Sequence, residues 1–100
     1  MDDEKTIADW RRRIDEIDRQ LVVLLNERSN CAKEIGSIKH QENLPVYQPE
    51  REKEVLANAV SHNDGPLPDD SIRRLFERIL DEARSIERKV MQKSETPDHT

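Results

Sequence analysis

Arg28 and Lys39 are the residues whose type and spacing first point to chemistry. Arg28 falls within a run of positions spaced alternately three and four apart: Ile7, Trp10, Ile14, Ile17, Leu21, Leu24, Arg28, Cys31, Ile35 and Ile38. All but the arginine are apolar or a thiol, which makes a heptad stripe over about five repeats. A guanidinium in such a seam is either paired or used, because an unpaired buried charge costs several kcal/mol. Lys39 and Arg11 lie on the flank of the same stripe. Arg28 and Lys39 are eleven residues apart, about 16 Å along a helix, so two long side chains reach one small anion. Arg11 is seventeen residues from Arg28, about 25 Å, too far to share that anion within one straight helix. If Arg11 joins the site it comes from a second copy of the chain, which gives two equivalent composite sites in a two-fold dimer.

Further along, Arg51 and Glu52 are neighbours just after Pro49, and Glu87 flanks an apolar face between Ala83 and Val90. Several cations with one or two carboxylates, set in an apolar helical bundle, suit a small dianion that carries a hydroxyl. No nucleophile–base pair, Gly-rich phosphate loop or metal-ligand spacing accompanies them. His40, His62 and His99 are too scattered for a metal set. An enzyme built on these residues works by binding and electrostatics, without covalent chemistry, cofactor or metal. Each residue also has a plain structural reading. Arg28 serves as a register-setting polar position in a coiled coil. Arg11, Lys39 and Arg51, taken singly, read as solvated surface charges. Glu87 reads as a surface acid and Cys31 as a small buried apolar group.

The elements that must position these groups are helices. Residues 6–40 carry the heptad stripe with no proline, so they form one helix roughly 50 Å long, with Thr6 or Asp3 as its cap. Gly36, inside that pattern, is either a weak point or a place where backbone or ligand comes close. The stretch QENLPVYQP is a connecting loop, and a second helix starts with Pro49 in its first turn and runs to about Ser61. After SHNDGPLPDD a third helix begins near Pro68. Asp69 and Asp70 suit its positive end, and Ile72, Leu75, Phe76, Ile79, Leu80, Ala83, Ile86 and Val90 give its apolar face. Residues 1–5 are a polar lead-in, 6–92 the helical domain, and 93–100 a polar tail expected to be disordered.

Composition agrees with an all-α fold: of the 100 residues 39% are charged and 3% aromatic, with only two glycines. So long a first helix cannot have its whole apolar face covered by so short a chain, and a partner chain is expected to complete the core. A net charge of −5 disfavours nucleic acid as a partner. No apolar run approaches a membrane span, the N-terminus does not look like a signal peptide, and a single cysteine makes no internal disulfide. These features lead to the expectation of a soluble, cytoplasmic protein.

Two segments, WRRRIDEIDRQLVVLLNERSNCAKEIGSIK and LPVYQPEREKEVL, resemble the all-helical (type II) chorismate mutases, and the likeness extends over about residues 7–90. Its marks are the arginine opening the first helix, the IDxxLVxLLxER core, the IGxIK ending and the proline turn into R-E. The resemblance implies an intertwined homodimer of three-helix chains and a cofactor-independent isomerase. Such an enzyme rearranges chorismate to prephenate on the route to phenylalanine and tyrosine. It implies that Arg28 and the partner copy's Arg11 clamp the substrate carboxylates with help from Arg51. It further implies that Lys39 hydrogen-bonds the breaking ether oxygen and that Glu52 holds the ring hydroxyl.

Three positions depart from the family pattern. Gln48 stands where some members have an acid whose main chain contacts the ring hydroxyl, a contact that survives the change. Ala83 replaces a serine found in some members. Glu87 stands where many have glutamine, the second donor to the ether oxygen; a carboxylate cannot donate, so Glu87 must carry a proton in the working enzyme. Two other readings stay open: an isochorismate pyruvate lyase of the same fold, and a non-catalytic helical dimer in which Arg28 pairs with a carboxylate such as Asp18.

Overall fold

The computed structural model describes residues 4–95. Three helices follow in order, α1 (Ile7–Gln41), α2 (Pro49–Ser61) and α3 (Asp69–Glu95), and no strand occurs among the described residues. α3 passes the expected boundary at residue 92. Asp3, His99 and residues 96–100 of the expected tail lie outside the described residues. The chain divides within α1, after Asn30, into two units.

The first unit is the N-terminal part of α1. Thr6 caps it: the Thr6 hydroxyl accepts from the Asp9 amide at 3.1 Å, and the Asp9 carboxylate accepts from the Thr6 amide at 2.9 Å. This is a reciprocal capping box with aspartate in the third helical position. The seam residues of this unit are solvent-facing in the single chain, from Ile17 at 38% exposed to Ile7 at 70%, with Trp10, Ile14, Leu21 and Leu24 between them. Arg28 is half-buried.

The second unit, from Cys31 onward, holds the buried residues. On α1 these are Ala32, Gly36 and Lys39. They lie one position past the seam residues Cys31, Ile35 and Ile38, which are exposed. Cys31 is therefore not the buried apolar group expected. This end of α1 has two apolar faces, and the small residues at 32 and 36 line the one turned into its own chain. On α3 the buried positions among the described residues are Leu80 and Glu87, and α2 packs against α3.

The loops have local causes. At the end of α1 the Leu44 amide donates to the Lys39 carbonyl (2.8 Å) and the Asn43 amide to the His40 carbonyl (3.3 Å). Asn43 takes a φ of 57°. That is a Schellman termination with asparagine in the left-handed position, a conformation its short polar side chain tolerates. Pro49 opens α2, where the amide it lacks would have had no helical partner. Asn63 ties the next loop, donating to the Leu67 carbonyl and the Asp69 carboxylate, both at 2.8 Å.

The capping box gives a pH prediction. Hydrogen bonds from Thr6, its backbone amide first, hold the Asp9 carboxyl below its ordinary value of 3.8. A depressed carboxyl contributes stability above the unfolded value and loses it as pH falls through the folded one. Acid should therefore fray the first turn of α1. The Thr6 amide resonance should titrate with a midpoint below 3.8, and Asp9→Asn should abolish that titration. A Thr6 amide indifferent to pH would remove the box from solution structure.

Candidate active site

Lys39 reaches the interior from the last turns of α1. Nζ donates to Glu87 Oε1 at 2.7 Å and to the Val46 carbonyl at 2.8 Å. The side chains of the pair are only 11% and 9% exposed. An ammonium has three hydrogens, and two are thus engaged by α3 and the α1–α2 loop. Of the two readings of Glu87, surface acid and site residue, its burial sets aside the first, and the cause lies in spacing. Leu80, Ala83, Glu87 and Val90 repeat every three or four residues, so Glu87 belongs to the stripe that α3 turns inward.

Gly36 decides how near that stripe comes. A Cβ built on Gly36 would lie 3.0 Å from the Cα of Glu87 and 3.3 Å from its Cβ and Cγ. Of the two readings of this glycine, close approach is the one that the structure supports. Its missing side chain lets the backbone of α3 sit against α1 one turn before Lys39, within reach of the ammonium.

Glu52 stands in the first turn of α2, beside the acidic Glu50 and downstream of Pro49. Both its carboxylate oxygens accept from Arg84 Nη1, each at 2.5 Å, and the two side chains are about one-fifth exposed, at 20% and 21%. Arg84 Nη2 also bonds Asp81 one turn back on α3. The Arg84 guanidinium lies over the Tyr47 ring, 5.8 Å from its centroid, within cation–π range. The hydrogen bond that Arg84 donates to Glu52 leads the causes that raise the Arg84 pKa above its ordinary value, against desolvation, so the arginine is charged at every working pH. Arg84 was not among the residues expected at the site. It follows Leu80 by four residues and precedes Glu87 by three, a placement that puts it beside the inward stripe and was the available signal.

The remaining residues are placed less centrally. Gln48 caps α2 in an extended conformation without a side-chain cap bond and is half-buried. Arg51 forms a surface pair with Glu54, 3.2 Å apart and over 60% exposed on both sides, of the kind worth little in stability and open to exchange for another anion. Arg11 is exposed and Arg28 half-buried in the first unit, and neither forms an ion pair among the described residues. Within the second unit, then, Lys39 meets Glu87, Glu52 meets Arg84, and Gln48 leads into the turn that carries Glu52. Among the described residues no group of His, Cys, Asp and Glu forms a metal set, and no helix is long and apolar enough to cross a membrane.

The described part of the chain is thus all-helical and holds a buried lysine–carboxylate pair and a second carboxylate gripped by an arginine. A family model described as chorismate mutase type II matches residues 10–88, and the chain belongs to that family. It is 45% identical over 85 residues to a bifunctional chorismate mutase/prephenate dehydratase of Neisseria gonorrhoeae, a match covering 85% of this chain and 23% of that protein. A protein of the same description from Aquifex aeolicus is 35% identical, with 84% of this chain and 24% of the relative covered. The chain thus spans about a quarter of the length of these bifunctional relatives. A chorismate mutase of Methanocaldococcus jannaschii, 28% identical, is matched over 91% of its length and 89% of this chain. The solved chorismate mutase (form II) of Thermus thermophilus superposes with a TM-score of 0.82 at 37% identity, covering 84% of this chain and 96% of that one.

The Gly36 contact generates a prediction. Gly36→Ala gains about 1 kcal/mol of helix propensity, whereas overpacking of a close contact costs about 1–3 kcal/mol. The methyl meets backbone, which cannot rotate aside. The variant should be modestly less stable in urea and should lose far more activity than stability, because Glu87 is pushed off Lys39. Wild-type activity in Gly36→Ala would show that the approach is not needed.

Proposed function

We propose that this chain is a chorismate mutase, converting chorismate to prephenate by an intramolecular rearrangement. The observation that carries the reading is the buried Lys39 ammonium, fixed by Glu87 and the Val46 carbonyl with one hydrogen to give, in a chain of the type II family. In the reaction an ether C–O bond breaks while a C–C bond forms in the same molecule. No outside nucleophile, electron or proton is consumed. The protein's part is to hold the compact reactive conformer and to stabilise the negative charge that builds on the ether oxygen. A preorganised donor of this kind is worth roughly 3–4 kcal/mol.

Lys39 is the first donor to the ether oxygen. Glu87 has two oxygens with separate tasks. Oε1 accepts from Lys39, and Oε2, when protonated, donates to the ether oxygen. Glutamine reproduces both tasks without a titrating proton. Arg28, the partner copy's Arg11 and Arg51 take the two substrate carboxylates. Glu52 accepts from the ring hydroxyl, and Gln48 contributes its main chain. The exposed seam from Ile7 to Leu24 supports a homodimer in which a second copy covers it and supplies Arg11. We assign the protein to the cytoplasm, with chorismate, the small dianionic substrate, and its own second copy as partners.

Incubating the protein with chorismate near pH 6 and following proton NMR should show prephenate far above the uncatalysed rate. No turnover of chorismate, with pyruvate released from isochorismate, would replace this reading with the lyase. Glu87→Gln should keep prephenate formation, because the amide accepts from Lys39 and donates to the ether oxygen, whereas Glu87→Met should lose it; equal activity of the two variants would take Glu87 out of the mechanism. Removing Lys39 is a poorer test, since it strands a buried carboxylate at a cost of about 3–5 kcal/mol. Arg28→Ala should lower kcat/KM by orders of magnitude, on the scale of lost transition-state contacts, with the dimer intact by sedimentation. Dissociation of the dimer in its place would assign Arg28 to register.

A further inference from the structure

We propose that Arg84 is a positioning residue that fixes Glu52 for the substrate's ring hydroxyl by tying the segment Tyr47–Glu52 to α3. The inference rests on the mutase reading for the role of Glu52 and goes beyond it in naming what aims that carboxylate. Three contacts converge on one guanidinium. Nη1 takes both oxygens of Glu52 at 2.5 Å each, the plane lies over Tyr47, and Nη2 is held by Asp81 from the same helix. Tyr47 and Glu52 bracket Gln48 and Pro49, so the start of α2 is pinned on both sides. Glu52 and Arg84 are largely buried, whereas Asp81 is 55% exposed. The part of this cluster turned inward is therefore the carboxylate that the arginine grips.

The chemistry explains why the grip leaves the carboxylate useful. Each carboxylate oxygen has two lone-pair sites, and Arg84 takes one on each. The others accept a hydroxyl from a direction set by α3 and not by the rotamers of a glutamate. A bond of this sort exists equally in substrate and transition state, so its loss appears in KM and leaves kcat nearly unchanged. A mere structural brace behaves in the opposite way, reducing the active fraction and hence kcat while KM stays put.

The test is steady-state kinetics of Arg84→Met, Arg84→Lys, Glu52→Gln and the double variant on chorismate, with helical circular dichroism recorded for each. Arg84→Met should raise KM about tenfold or more, the value of a hydrogen bond to a charged group, with kcat within about threefold. Arg84→Lys should recover part of the loss, and Arg84→Met should add nothing once Glu52 is glutamine. The KM of an analogue lacking the ring hydroxyl should be indifferent to Arg84. An unchanged KM, a fall in kcat alone, additive losses in the double variant, or loss of helical signal in both Arg84 variants would overturn the proposal. A wild-type protein that makes no prephenate would overturn the mutase reading and this inference together, an outcome separate from all of these.

Discussion

A buried ammonium next to a buried carboxylate is the constraint around which the second unit is arranged. Each ion alone would pay several kcal/mol for leaving water, and their attraction repays that only with good geometry and satisfied remaining hydrogens. Lys39 and Glu87 meet the condition at 2.7 Å with help from the Val46 carbonyl. The pair is weak evidence of stability, since an apolar pair of similar volume would pack at no desolvation cost. Its presence is better understood as preorganisation: a fixed donor held in a water-poor pocket, where charge developing on a ligand is felt strongly.

Everything near the pair serves its geometry. Gly36 brings the backbones together. The Schellman turn at Asn43 folds the loop back, so that a carbonyl of the loop faces the ammonium of the helix that the loop has just left. Pro49 starts α2 at once, and α2 delivers Glu52 to Arg84 on α3. The charged residues so held come from all three helices, which explains how a chain with very few buried apolar side chains builds a defined polar interior.

Much of this was legible in the sequence. The heptad stripe, the prolines and the aspartates at 69 and 70 located the helices. Lys39, Arg28 and Glu52 stood out by type and place. What period alone did not separate was the two faces of α1: the stripe of larger side chains is exposed in the single chain, and the smaller one through Ala32, Gly36 and Lys39 is buried. Glu87 drew notice through its place beside the apolar face of α3, and the period of Leu80, Ala83, Glu87 and Val90 is what turns it inward. Arg84 went unnoticed because its partner is thirty-two residues away in sequence, and in a helix full of alternating charge nothing local distinguishes a gripping arginine from a solvated one. Asn43 was hidden likewise: two nearby prolines gave sufficient reason for the loop, and the left-handed cap that shapes it shows only in the backbone.

Lys39 uses both its ends, since its carbonyl closes the helix and its ammonium reaches over the loop to Val46. The segment from Gly36 to Pro49 is therefore counted residue by residue. One residue added or removed between Gly36 and Lys39 would turn the lysine by about 100° around the axis, away from both partners.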